Sequence, residues 1–124
     1  MTGITFDTGA LIALERRRAR ISQIYTTAVA DGLLVTVPAA AITEWWRGRT
    51  RVRELILRGM RVELVDAPLA QLAGEAIAAV RGAKAVDAIV MASAARRGDV
   101  VYTSDVSDLE RLRAYFPAVR VLAA

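Results

Sequence analysis

The sequence predicts a three-layer α/β/α sandwich built on a mainly parallel five-stranded sheet. Three observations predict it. Five short apolar runs alternate with helical stretches along the chain, the pattern of a parallel sheet with helices on both faces. Two of those runs, Ile4-Thr5-Phe6-Asp7 and Val100-Val101-Tyr102-Thr103-Ser104-Asp105, stop on an aspartate that opens a helix. The length of 124 residues suits one domain, 1–124, with a single core.

The elements follow in order. A strand near 3–6 leads into an apolar helical start at 9–14, and the basic turn Glu15-Arg16-Arg17-Arg18 leads to a helix over 19–30 with Ile21, Ile24, Tyr25 and Ala28 on one face. Asp31-Gly32 ends that helix, and 33–37 reads as a buried strand stopped by Pro38. Helical stretches at 39–47 and 51–57 follow, the second broken by Gly59. A third strand over 61–65 precedes helices at 69–80 and 85–97, the latter closed by Arg96-Arg97-Gly98 as a basic last turn before a glycine cap. The fourth strand, 100–103, a helix over 107–115, Pro117 and a last strand at 119–122 complete the chain. Strand order is not readable from the pattern. If the first and fourth strands are neighbours, Asp7 and Asp105 lie side by side at a topological switch point, where ligands bind in open α/β sheets.

Composition narrows the chemistry. Apolar residues make up 55% of the chain, yet charges interrupt every stretch before the roughly 18 apolar residues that a membrane span requires. No secretory signal is visible in Met1-Thr2-Gly3-Ile4-Thr5-Phe6-Asp7, so a cytoplasmic location is expected. There are no cysteines and no histidines, which excludes disulfides, thiolate or imidazole zinc sites and serine–histidine triads. Lys84 is the only lysine among 17 basic residues. The remaining arginines, with a net charge of +4, suit a phosphate- or carboxylate-bearing partner.

Five acids stand at punctuated positions. Asp7 and Asp105 each fit a helix N-cap, a role worth about 1 kcal/mol, but as a pair at two strand ends they read as a site. Ser107 and Glu110 spell an S-x-x-E capping box, with Asp108 a favourable first-turn charge; Asp105 three residues earlier makes that loop a cluster of repelling acids. Asp87 shares its helical face with Val90, Met91 and Ala94, so it needs a partner: Lys84 or a metal. Glu44, before Trp45-Trp46, alone reads as an exposed helical glutamate. Carboxylates without histidine or cysteine favour a hard cation, Mg²⁺ or Mn²⁺, which activates water for phosphoryl displacement.

Four motifs in order then become familiar: Phe6-Asp7-Thr8-Gly9-Ala10-Leu11, Thr43-Glu44-Trp45, Val86-Asp87-Ala88-Ile89-Val90, and Thr103-Ser104-Asp105 with Asp108. Across its full length the chain resembles PIN-domain ribonucleases, in particular the VapC-type toxins of bacterial toxin–antitoxin pairs. The resemblance implies a PIN-like fold with the first and fourth strands adjacent. It implies an acidic quartet of Asp7, Glu44, Asp87 and Asp105 around Mg²⁺ or Mn²⁺, with Asp108 as a fifth acid. Thr103 would help orient the site, and Thr8 is the small polar residue after the first acid. An endoribonuclease acting on a transfer or ribosomal RNA, a cognate antitoxin and a homodimer are implied in the same way. A PIN-like scaffold that binds RNA or protein without cutting is the alternative. A receiver domain fits less well, because Asp7 stands alone and Lys84 is misplaced; a haloacid-dehalogenase-type phosphatase would need an acid where Gly9 stands. Trp45-Trp46 read as core or partner-facing packing. The Arg47-Gly48-Arg49-Thr50-Arg51-Val52-Arg53 run reads as a solvated face, an RNA contact or an antitoxin contact.

Overall fold

In a computed structural model describing residues 2–124, the strands are β1 (Ile4–Phe6), β2 (Val35–Pro38), β3 (Arg61–Glu63), β4 (Val100–Thr103) and β5 (Val121–Ala123). The helices are α1 (Thr8–Glu15), α2 (Ala19–Ala30), α3 (Ala39–Trp45), α4 (Arg51–Arg58), α5 (Ala67–Ala79), α6 (Ala85–Arg97) and α7 (Val106–Leu112). The sheet order is β3-β2-β1-β4-β5, and every pairing is parallel. The expected "mainly parallel" sheet is therefore wholly so. Between β1 and β4 the register pairs Ile4 with Val100 and Phe6 with Tyr102, which brings Asp7 and the loop after Thr103 to the same sheet end.

Alternation along β1 sorts the two faces. Phe6 is fully buried against Tyr25 of α2, ring centroids 6.3 Å apart. Thr5 points the other way, into a polar network under α6. That helix buries Ala88, Val90, Met91, Ala92, Ser93 and Ala94. Small residues at four of these positions let its backbone lie close to the sheet while Val90 and Met91 fill the core. Its end follows the expected signal: Gly98, at φ +73°, caps it in the left-handed conformation.

Element boundaries differ from expectation where a local group wins over hydrophobic pattern. The third strand pairs only over three residues, because Leu64 and Val65 run past the end of the β2 ladder into solvent. Helix α5 begins two residues earlier, since the Asp66 side chain accepts the Leu69 N–H at 2.9 Å and Pro68 fits the first turn. Helix α3 stops at Trp45, where Trp46 leaves the helical region at ψ 84°. β2 starts at Val35 because Leu33 and Leu34 lie before the register with β1 begins, and β5 starts at Val121 because only from there does the chain pair with β4. The Ser107–Glu110 capping box does not form. Asp105 is the N-cap of α7, its Oδ1 accepting from the Asp108 N–H at 3.4 Å and from the Ser107 hydroxyl at 3.1 Å. With the cap moved forward, α7 also ends earlier, at Leu112.

Candidate functional site

The five acids arrive at the carboxyl end of the sheet from four separate segments. Asp7 follows β1 and caps α1, its Oδ1 accepting the Ala10 N–H at 2.8 Å. Glu44 lies in α3, Asp87 in the first turn of α6, Asp105 after β4 and Asp108 in the first turn of α7. Asp7 is buried, at 7% exposure, and the backbone bond from its own N–H to the Tyr102 carbonyl at 3.3 Å fixes it beside β4. Burial pushes its carboxyl up to about 6; the Thr103 hydroxyl and the Ala10 N–H oppose that rise, and the charge of Asp87 adds to it. Thr103 is itself fully buried and also accepts the Asp105 N–H at 2.9 Å, so one hydroxyl links the first acid to the last loop.

Asp87 is the hub. Burial raises its carboxyl above the usual range, the charges of Asp108, Glu44 and Asp105 raise it further, and Lys84 offsets part of the rise. The expected Lys84 partnership goes elsewhere: its Nζ reaches Asp108 Oδ2 at 4.0 Å, because Lys84 precedes α6 and leans toward α7. Arg111 also holds Asp108, at 2.7 Å. Asp105 differs from Asp7: the Ser107 hydroxyl, with groups of Asp108, holds its carboxyl below the ordinary value. Glu44 is exposed, and the Thr8 hydroxyl donates to its Oε1 at 2.9 Å. Thr8 thus couples the first motif to the second.

Sequence reasoning missed the closeness of the two central loops. A Cβ added to Gly9 would stand 2.0 Å from Ser104 Oγ and 3.1 Å from the Ser104 amide nitrogen. Only glycine lets the β1–α1 loop press against the β4–α7 loop here. The signal was present as a glycine two residues after the first acid. In the sequence it stands within the first motif and argues against a phosphatase, but nothing adjacent to it names Ser104.

Among the described residues no three acids stand close enough to form a ready metal cage. They gather at the carboxyl end of the sheet beside the β1–β4 pair, the crevice position of an open α/β sheet, and the donors are all oxygen. That donor set suits a hard divalent ion that keeps several waters and takes one or two carboxylates directly. It does not suit a metal needing nitrogen or sulfur ligands.

The two motifs left open also find places. Trp45 is buried at 2% exposure and donates its indole N–H to Glu15 Oε1 at 2.8 Å, while Trp46 packs edge-on against it, ring centroids 5.9 Å apart. Arg53 is drawn inward to Glu15 at 3.2 Å and to the Gly48 carbonyl at 2.9 Å, and Arg49 pairs with Glu54 at 3.1 Å. The run is thus partly internal structure. Asp66, the acid after the third strand, caps α5 and pairs with Arg96 at 3.1 Å.

Solved structures define the class of this fold. A chain of the DNA-bound VapBC of Salmonella typhimurium superposes with TM-score 0.74 at 17% identity, covering 99% of this chain and 98% of its own. A chain of VapBC2 from Rickettsia felis, bound to a DNA fragment from its promoter, gives 0.76 at 9% identity with 98% coverage of both. The fold is therefore the PIN-like α/β fold. Within that class, FitAcB from Neisseria gonorrhoeae is a further neighbour, at TM-score 0.60 and 19% identity over 96% of both chains. No family model and no curated protein matches the sequence.

Proposed function

We propose that this protein is a Mg²⁺- or Mn²⁺-dependent endoribonuclease, the toxin of a toxin–antitoxin pair, acting in the cytoplasm on a specific cellular RNA. One observation carries the reading: five carboxylates from four chain segments gather at the carboxyl end of the sheet, where the charges of Asp108, Glu44 and Asp105 act on Asp87 and that of Asp87 on Asp7, with Lys84 and Arg111 as the cations beside Asp108. Such a crowd of like charge costs folding energy, and a bound divalent cation relieves it. The fold likeness to chains of VapBC and FitAB complexes supports the toxin class and a cognate antitoxin. A homodimer follows from the resemblance of the sequence.

Asp7, Asp87 and Asp105, with Asp108 and Glu44, would hold the ion. When bound, it supplies a nucleophilic water near neutral pH and neutralises charge on the phosphodiester. The chain's own part is positioning. The Thr103 hydroxyl and the Ala10 N–H hold Asp7 in one orientation. Thr8 holds Glu44 at the open side, and Ser107 holds Asp105 ionised at the rim. Contact between Gly9 and Ser104 sets the spacing of the two central loops.

The test is cleavage of total bacterial RNA by purified protein with each metal, mapped at new 5′ ends, beside Asp7→Asn. Discrete metal-dependent cuts that the variant lacks are expected, with activity reduced at least ~100-fold. RNA binding without cutting at any Mg²⁺ or Mn²⁺ concentration would instead make this a binding scaffold.

A further inference from the structure

The basic turn between α1 and α2 takes no part in anything described above. Arg16, Arg17, Arg18 and Arg20 are all exposed. Among the described residues none of them forms an ion pair, and Glu15, the acid beside them in sequence, is taken by Arg53 and Trp45. Other arginine clusters are at least partly neutralised: Arg96 and Arg97 by Glu63, Asp66 and Asp99, Arg111 by Asp108, and Arg113 by Glu110.

The turn is rigid and strained. Arg17 is the one non-glycine residue among those described with positive φ, at 57°. Placing an arginine in the left-handed region costs roughly 1 kcal/mol, and no side-chain contact of Arg17 offsets it. Backbone bonds from Arg17 N–H to the Leu14 carbonyl and from Arg18 N–H to the Ala13 carbonyl, both 3.0 Å, lock the turn. Arg16, Arg18 and Arg20 on either side of Arg17 line two adjoining depressions, of which Arg17 itself lines neither. One, of ≈590 Å³, is lined by Arg16, Arg18 and Arg20 and floored by Gly9 and Ser104. The other, of ≈320 Å³, is lined by Arg16, Arg47 and Arg53 and by two acids, Glu44 and the Glu15 that Arg53 pairs with. Arg16 and Ile12 border both, so the two form one basic groove touching the acid crevice at Glu44 and at the Gly9–Ser104 contact.

We propose that this groove is the grip for the RNA backbone, with Arg16, Arg18, Arg20 and Arg47 binding successive phosphates and leading the strand past the carboxylates. The inference rests on the nuclease reading for its choice of RNA. Guanidinium groups bind phosphate through paired N–H donors, and fixed elements hold them in place before the ligand arrives. An acidic protein segment is the competing occupant. RNA is favoured because the depressions are bordered by Glu44, itself one of the acids, and by Gly9 and Ser104, close in the chain to Asp7 and Asp105, beside which a scissile phosphate would lie.

The experiment measures binding of a fluorescent single-stranded RNA of mixed sequence by anisotropy, across a salt series, in the non-cleaving Asp7→Asn background. Arg16→Gln, Arg18→Gln and Arg20→Gln are combined. A control combines Arg58→Gln, Arg61→Gln and Arg120→Gln, which removes the same charge elsewhere. The groove variant should bind ~10- to 100-fold more weakly with a salt slope smaller by about 2, the value for three lost contacts on a single strand. The control should keep the slope, and a combined Arg→Lys groove variant should retain most of it. Equal weakening in groove and control variants would overturn the proposal, as would unchanged binding. So would a synthetic oligoglutamate peptide that binds the groove more tightly than RNA and is not displaced by it. The nuclease reading fails separately: arginine-dependent RNA binding, with no metal-dependent cutting by the protein carrying Asp7, would leave the grip standing and remove the reaction.

Discussion

Asp7 and Asp99 are almost equally buried, at 7% and 6% exposure, and they flank the same pair of strands. Their surroundings are opposite. Asp99 Oδ2 accepts from Arg97 Nε at 2.9 Å and from the Thr5 hydroxyl at 2.8 Å, and Arg97 goes on to Glu63 and, at 2.7 Å, to Thr5. Asp7 has a hydroxyl and an amide for partners and another carboxylate facing it. One region spends an arginine to neutralise its acids; the other leaves its acids to repel. The fold supplies an arginine to the acids under α6, whereas at this end of the sheet Arg111 and Lys84 reach Asp108, and no ion pair reaches Asp7 or Asp87 among the described residues.

Breaking the neutralised side should have the largest effect. Arg97→Met leaves buried Asp99 with no cation and only the Thr5 hydroxyl, and leaves Glu63 to Arg96 alone; a loss of about 3–5 kcal/mol is expected, a large share of the stability of such a domain. Urea unfolding at neutral pH reads it directly; a loss under 1 kcal/mol would mean the network is not buried in solution.

On the other side the sign reverses. The Asp7 carboxyl rises from 3.8 to about 6 on folding, so metal-free stability falls as pH climbs through that window. Asp7→Asn keeps the cap on Ala10 and removes the charge. It should stabilise the metal-free protein by roughly 2–3 kcal/mol above pH 6 and by nothing below pH 4, because a carboxyl protonated in both states carries no penalty. Parallel melts at acid and neutral pH test this, and a gain that is the same at both pH values would refute it. Protons should likewise compete with added Mg²⁺, so metal-induced stabilisation of the protein with Asp7 should fade below pH 6.

A smaller effect separates spacing from charge. Gly9→Ala drives a methyl into Ser104 and should cost ~1–3 kcal/mol while displacing the two loops. Loss of cutting larger than the loss of stability predicts would mark the contact as positioning. The exposed pair Arg113–Glu110, 3.3 Å apart, provides the baseline: Arg113→Gln should shift stability by under about 0.5 kcal/mol in the same urea assay.

Much of this contrast was legible in the sequence, and the reasons are physical. Strands stopping on Asp7 and before Asp105, and α6 ending at Gly98, are signals written in adjacent residues. The register that brings Asp7 beside β4 is not, because hydrophobic alternation fixes which face a residue takes but not which strand lies alongside. The burial of Asp99 is not legible from its neighbours in sequence, since its partner Thr5 lies 94 positions away and its other partner, Arg97, is also held by Glu63 of β3. Asp105 and Ser107 competed for one cap, and the winner depends on where β4 releases the chain. Glu15 reads in sequence only as part of the basic turn Glu15-Arg16-Arg17-Arg18, whereas it anchors Trp45 and Arg53, 30 and 38 positions away.

The order β3-β2-β1-β4-β5 has a further consequence for synthesis. β1 precedes the other four strands in the sequence, but it occupies the middle of the sheet. Its second edge stays open until Val100–Thr103 emerges, after β2, β3 and the six helices α1 to α6. Until then Asp7 has neither Thr103 nor the Tyr102 carbonyl, and Gly9 has no Ser104 to press against. A nascent chain can fold β1 against β2 and still lack the crevice, so the acids come together only after Val100–Asp108 has been made.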